Sequence, residues 1–237
     1  MQIWLRLRFR SCMRLKMTTG QKGGHILGKR ALTDDAKRRK KLHILQAAER
    51  IFAEDRKLHS SAKIAKESQV AKGTLYLYFQ TKEEIYMELL VEAFCRWHEE
   101  LRNRLLDQNL DAKSFIGVIS STIAQRTLFI DLYCLSGSVI EDNLSVDVVR
   151  TGRQRMRQET SRTGDLMAKY FPDRWTEERA KHNLKRFYTY AFAYWRECFP
   201  TKNVEQAFPE EFSDKAKQKR VFEAELADMN RLIWDIG

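Results

Sequence analysis

Long apolar runs, proline, glycine and clustered cysteine are all scarce in this sequence, and each scarcity removes a class of protein. No stretch of about 18 or more apolar residues occurs, the least that a membrane-crossing helix needs, so a soluble chain with no membrane partner is expected. Only three Pro and ten Gly among 237 residues put the chain well away from the disordered class. Four cysteines (Cys12, Cys95, Cys134 and Cys198) stand far apart with no Cys-x-x-Cys pair. That excludes a disulfide framework and points to free thiols in a reducing cytoplasm. The five His (25, 43, 59, 98 and 182) lack metal-ligand spacing as well. Cys95 and His98 come nearest, one helical turn apart, but no further ligand is nominated, so neither metal nor cofactor is expected. A Gly-rich phosphate loop, a nucleophile elbow and paired carboxylates beyond ordinary helical surface pairs are all missing, and no enzyme is expected.

What is present is a helix-leaning balance of 43% hydrophobic and 32% charged residues with a net charge of +11. The charge is confined. Residues 1–41 hold 13 Lys/Arg against 2 Asp/Glu, whereas residues 42–237 hold 30 of each sign. A basic end of this kind suits phosphates, and it is equally the mark of a basic tail with no specific partner. Within it, residues 1–16 alternate Leu5, Leu7 and Phe9 with Arg6, Arg8 and Arg10. This reads either as an amphipathic arm or as upstream sequence included by an early start, Met13 and Met17 being later ones. The Gly-rich piece at 18–30 reads as a flexible lead-in, giving an expected basic extension over 1–32.

From Thr33 the periodicity becomes helical. Thr33, Asp34 and Asp35 suit a first turn, and Leu42, Leu45, Ala48 and Phe52, with Ile44, Ala47 and Ile51, form one apolar stripe. The stripe breaks at Asp55-Arg56-Lys57. Ser60 and Ser61 cap a short helix that ends near Ser68-Gln69, a second short helix spans 71–79, and Thr81 with Glu84 is a capping box that opens a long helix to about Leu106. Further helices are expected near 112–125, 127–140, 145–170, 176–199 and 214–235, with residues 200–213 as the longest loop. The fold class is all-α, with about nine helices.

Two short helices joined by a tight turn are the elements of a helix-turn-helix. Ile64, Ala65, Val70, Leu75 and Phe79 can share a small core with Ile44, Ala48 and Phe52, leaving Lys63, Lys72, Thr74, Tyr76, Tyr78 and Lys82 outside. Gly73 would let the backbone come close to a base or phosphate. Either tyrosine also has a plain alternative as a core aromatic at helical spacing.

The segment from Ile44 through Leu90 resembles the DNA-binding domain of the TetR family of transcriptional regulators. The resemblance rests on Ile-Leu-x-Ala-Ala-x-x-x-Phe at 44–52 and on Ala-Lys-Gly-Thr-Leu-Tyr-x-Tyr-Phe-x-Thr-Lys-Glu at 71–83. It implies a DNA-binding domain over 33–82, with its helix-turn-helix at about 60–79, and DNA contacts at Lys72, Gly73, Thr74 and Tyr76. Tyr78 and Lys82 are implied as backbone contacts, and Ser61 and Lys63 match positions that touch phosphate or a base. One departure stands out: the family places a Gly-aromatic pair after its first helix, where this chain has Arg56-Lys57-Leu58 and is one residue short.

The resemblance further implies that residues 83–237 form a helical domain that dimerises and binds a small effector. Aromatics are dense there, and Phe115, Phe129, Tyr133, Tyr188 and Trp195 are candidates for an effector pocket, against a plainer role in core or interface. The run at 186–195, apolar nearly all round, would turn one face inward and another to a second subunit. The expected protein is a homodimeric regulator, a repressor on a palindromic double-stranded operator that an unknown small molecule relieves. Two rivals stay open: a small-molecule sensor whose helix-turn-helix no longer binds DNA, and a sequence-indifferent DNA binder that relies on its basic arm.

Overall fold

The computed structural model describes residues 26–235 apart from residue 108, with side chains from residue 34 onward. The alternating arm and most of the Gly-rich lead-in lie outside the described residues. The chain is all-α, and among the described residues there is no strand. The described residues form two compact units, divided between Glu92 and Ala93.

The first unit comprises α1 (Ile26–Asp55), α2 (Ser61–Glu67), α3 (Lys72–Tyr76) and the start of α4 (Lys82–Asp107). Helix α1 begins seven residues before Thr33, so the expected capping group lies inside the helix; no proline falls between 26 and 55 to stop it earlier. Its stripe Ile44, Leu45, Ala47, Ala48, Ile51 and Phe52 is buried with Ile64 and Ala65 of α2, Leu75 of α3, and Ile85 and Tyr86 of α4. Val70 is only half-buried. Phe52 and Tyr86 meet with ring centroids 5.8 Å apart.

The second unit holds the rest of α4, α5 (Ala112–Ala124), α6 (Thr127–Cys134), α7 (Val146–Tyr170), α8 (Glu177–Cys198), α9 (Lys202–Ala207), α10 (Pro209–Phe212) and α11 (Lys215–Trp234). Side chains cap four of these helices: Asp111, Ser145, Thr176 and Asp214 each accept a backbone N–H three residues on. Two expectations need correcting. The helix expected over 127–140 ends at Cys134 and gives way to a π-helical turn (Ser136–Ile140) and a 3-10 turn (Glu141–Asn143), because Ser136, Gly137 and Ser138 are poor helix formers. The expected loop at 200–213 carries α9 and α10, which bury no residue and so leave no apolar periodicity in the sequence.

Helix α7 packs along α8, and α11 packs against both α8 and α5. At their centre Phe94 and Trp97 of α4 meet Phe129 of α6 and Tyr188 of α8. Beside them His98, fully buried, has Nδ1 2.9 Å from the Thr163 hydroxyl. Arg102 donates to that hydroxyl at 3.0 Å and to Glu159 at 2.6 Å. Burial first, then the Arg102 charge, holds the His98 imidazole down at about 3, so it is neutral. No single helix among the described residues is long and apolar enough to cross a membrane.

Candidate nucleic-acid interface

The entry to α2 is built by the departure noted above. Arg56 closes α1 from the left-handed region at φ 59°, its N–H donating to the Phe52 carbonyl at 2.8 Å. This bond back to the fourth-last helical carbonyl is the αL termination that glycine usually makes. The Asp55 carboxylate then accepts the Lys57 N–H at 3.1 Å and lies 3.0 Å from Nε2 of His59. Desolvation raises the Asp55 carboxyl, but these bonds and charges outweigh it and leave its pKa below the usual value. The His59 N–H donates to the Tyr86 hydroxyl at 2.9 Å, which fixes the turn to α4; burial pushes that phenol up to about 12. Leu58 is half-buried in the same turn.

Ser60, not Ser61, is the N-cap of α2, its Oγ accepting the Lys63 N–H at 3.3 Å. At the other end the buried Ser68 hydroxyl donates to the Ile64 carbonyl at 2.8 Å, and Gln69 turns the chain at φ 51°. The Val70 N–H reaches back to the Ala65 carbonyl at 3.0 Å, and α3 begins two residues later. An ion pair from Arg50 to Glu67 (3.0 Å) ties α2 to α1. After α3, Thr81 caps α4 by accepting the Glu84 N–H at 3.2 Å, while the Glu84 carboxylate takes the N–H of Gln80 at 2.6 Å. The expected capping box is thus present with its return bond one residue upstream.

With Leu75 and Phe79 pinned inward, the other side of α3 faces out. Lys63, Lys72 and Gly73 are exposed, and Ser61, Thr74, Tyr78 and Lys82 are half-buried. Tyr76 is 38% exposed, so neither tyrosine belongs to the core. The Lys72 ammonium lies 5.8 Å from the Tyr76 ring centroid, within cation–π range. Lys82 is 3.7 Å from Glu83. A Cβ on Gly73 would meet nothing within 4 Å, so its glycine answers no internal packing need. Sequence reasoning overlooked Leu77, which is 82% exposed at the end of α3. Its signal was the register itself, since Leu75 and Phe79 facing in force Leu77 out.

The pocket candidates of the second unit separate. Tyr133 and Tyr188 line one cavity of about 370 Å³. Phe129 is core behind it, 5.9 Å from Phe94. Phe115 packs on Phe171 instead, and Trp195 donates to Asp131 at 2.8 Å while stacking on Phe199. A second hollow of about 450 Å³ between α5 and α11 is lined by Ile116, Gly117, Ser120 and Ala124, with Lys113, Arg231 and Glu223 around it.

A capped short helix, a turn through a left-handed residue and a second short helix that offers lysines, hydroxyls and a bare glycine define a helix-turn-helix DNA-binding regulator. The chain belongs to the TetR family: the model of bacterial regulatory proteins of the tetR family matches residues 44–89, and that of the tetracyclin repressor-like C-terminal domain matches residues 91–235. A curated relative, the fatty acid metabolism regulator protein of Bacillus subtilis (strain 168), is 35% identical over 85 residues, which are 35% of this chain and 44% of that protein. The chain therefore spans less than half the length of that relative. A crystal structure of a TetR-family transcriptional regulator from Mesorhizobium loti superposes with a TM-score of 0.54 at 16% identity, over 82% of this chain and 96% of that one. Another TetR-family regulator, from Shewanella, gives 0.49 at 20% identity over 83% and 96%. Of these two, the Mesorhizobium superposition carries the likeness of fold.

Proposed function

We propose that this regulator is a homodimeric repressor whose two copies of α3 enter successive major grooves of a palindromic operator, and that a small molecule bound in the second unit releases it. The observation that carries the reading is the outward set Lys72, Gly73, Thr74 and Tyr76 on a helix whose inner face is locked by Leu75, with Phe79 buried just beyond its end. In this reading Thr74 and Gly73 approach base edges. Lys72 and Tyr76 span base edge and phosphate, and Ser61, Lys63, Tyr78 and Lys82 hold the backbone. DNA binding falls to residues 33–82, and dimerisation with effector binding to residues 83–237. The exposed apolar side chains of Val221 and Leu232 on α11 support a dimer through the α8–α11 side of the second unit. A palindromic operator demands one separation of the two recognition helices, so an effector with higher affinity for another separation weakens DNA binding by that difference.

Electrophoretic shift against the DNA upstream of the protein's own reading frame tests this, with sedimentation to read the oligomer. Binding as a dimer, lost on Lys72→Ala with Tyr76→Ala and kept on deletion of residues 1–32, is the expected result. Loss on deleting 1–32 with the α3 variants harmless would transfer DNA binding to the basic arm. A folded protein that shifts no DNA at low salt would leave the sensor reading.

A further inference from the structure

We propose that the cavity bounded by α7, α8, α6 and α4 binds a small organic anion with a flat apolar body, its charge held at the mouth by Arg157 and Lys185. The proposal rests on the effector reading above and names the class of molecule that reading left open. Arg153, Met156, Arg157 and Thr160 share one face of α7, following the one-turn and two-turn spacing of a helix. Lys185 and Tyr188, one turn apart on α8, face them across about 370 Å³, near the lower end of the volumes that enclose drug-sized ligands (about 300–1,000 Å³).

The lining is sorted by depth. Phe94, Met156, Thr160 and Tyr188 are buried and form the floor. Tyr133 and Arg153 are half-buried, and Arg157 and Lys185 are exposed at the mouth. Two rings and a thioether make a surface for a planar apolar body, while the Thr160 and Tyr188 hydroxyls, 3.4 Å apart, offer one polar contact at depth. The charges are of one sign: three cations line the cavity and no carboxylate does. Arg153 is already neutralised, its Nε 2.6 Å and its second guanidinium nitrogen 2.8 Å from the two oxygens of Glu141, on the turn that follows the π-helical segment. Among the described residues, Arg157 and Lys185 have no ion-pair partner. Two uncompensated cations over an aromatic floor favour a carboxylate, sulfonate or phosphate on an apolar body and disfavour a cationic ligand. The hollow between α5 and α11 lacks this polarity, having Glu223 beside Lys113 and Arg231.

The test uses the full chain and two dyes of one shape, 8-anilinonaphthalene-1-sulfonate and its uncharged analogue N-phenyl-1-naphthylamine, titrated by fluorescence. One sulfonate dye should bind per chain. The Arg157→Gln/Lys185→Gln variant should weaken it about tenfold or more while leaving the neutral dye within about twofold. Added salt should weaken the sulfonate alone, because the cations are exposed. Met156→Trp, which fills the floor, should reduce both dyes. Sulfonate binding that ignores the charge-neutral variant and salt, or that survives Met156→Trp unchanged, overturns the proposal. Operator shifts run on the same samples keep the two readings distinct. Intact DNA binding without the charge-dependent dye site overturns only the anion site, and a charge-dependent site whose occupancy leaves DNA binding unaltered overturns only effector release.

Discussion

The N–H of Arg56 donates to the carbonyl of Phe52 at 2.8 Å from a left-handed backbone at φ 59°. An L-residue in that region costs about 1–2 kcal/mol that glycine does not lose, partly offset by glycine's greater freedom in the unfolded chain. Arg56→Gly should therefore stabilise the first unit by about 0.5–1 kcal/mol, and Arg56→Val should destabilise it by more than that. Urea unfolding followed by circular dichroism reads both. Equal stability of the three proteins would mean that the turn is not held left-handed in solution.

Gly164 on α7 faces α8 at Lys181, where an added Cβ would lie 2.6 Å from the Lys181 Cγ and 3.0 Å from its backbone nitrogen. The Cγ can move; the backbone of a packed helix cannot. Alanine gains about 1 kcal/mol of helix propensity over glycine, but overpacking costs about 1–3 kcal/mol, so Gly164→Ala should lose a net amount near 1 kcal/mol. Gly164→Leu should lose several times more. Lys181→Ala should not rescue either, because the backbone contact stays. Full rescue would show that only the lysine side chain stood in the way.

Buried His98 makes stability depend on pH. Its folded pKa, near 3, is below the unfolded value of about 6.5, so between those values the unfolded chain binds the extra proton and stability falls as pH falls. The His98 contribution is complete above pH 6.5 and declines by about 1.4 kcal/mol per unit below it, or about 2 kcal/mol by pH 5. His98→Gln can keep one bond to Thr163 but has no proton to gain. Denaturation at pH 7 and pH 5 should give the wild type about 2 kcal/mol more loss than His98→Gln, and parallel slopes would rule this out.

How far the residues announced this arrangement varies with the range of the forces involved. Caps and turns are local, so Ser60 and Thr81 marked their helices within a residue or so, whereas Thr33 did not, because α1 runs through it from Ile26. The segment 186–195 likewise showed an inward face (Phe187, Tyr188, Ala191, Phe192 and Trp195), all buried as helical spacing requires. Helices α9 and α10 left no such mark because they bury nothing. The π-helical turn broke an otherwise apolar helical pattern at Ser136–Ser138, where weak helix formers permit the distortion without dictating it. Tyr133 and Phe115 look alike in sequence, yet one lines a cavity and the other packs on Phe171; the deciding neighbours are tens of residues away. Leu77 went unnamed although its signal was local: with Leu75 and Phe79 read as core, the register left it facing out.

The outward residues of α3 and of the start of α4 should divide into those that set affinity and those that set sequence preference, measured on DNA selected from random sequence by the wild type. In the proposed docking Lys82, the first residue of α4, holds a phosphate, so Lys82→Gln should weaken all sequences alike and reduce the slope of log K against log salt by about one. Thr74→Val leaves the charge and shape but removes the hydroxyl, and should cost about 1–3 kcal/mol at one base pair while the salt slope stays. Leu77 has no polar atom to offer, so the base feature it can read is a thymine methyl in the major groove. Replacing the thymines of the selected site one at a time by deoxyuridine should locate a position that costs about 1 kcal/mol with the wild type and nothing with Leu77→Ala. If every thymine-to-deoxyuridine exchange costs Leu77→Ala as much as it costs the wild type, Leu77 touches no methyl, and its 82% exposure needs another partner.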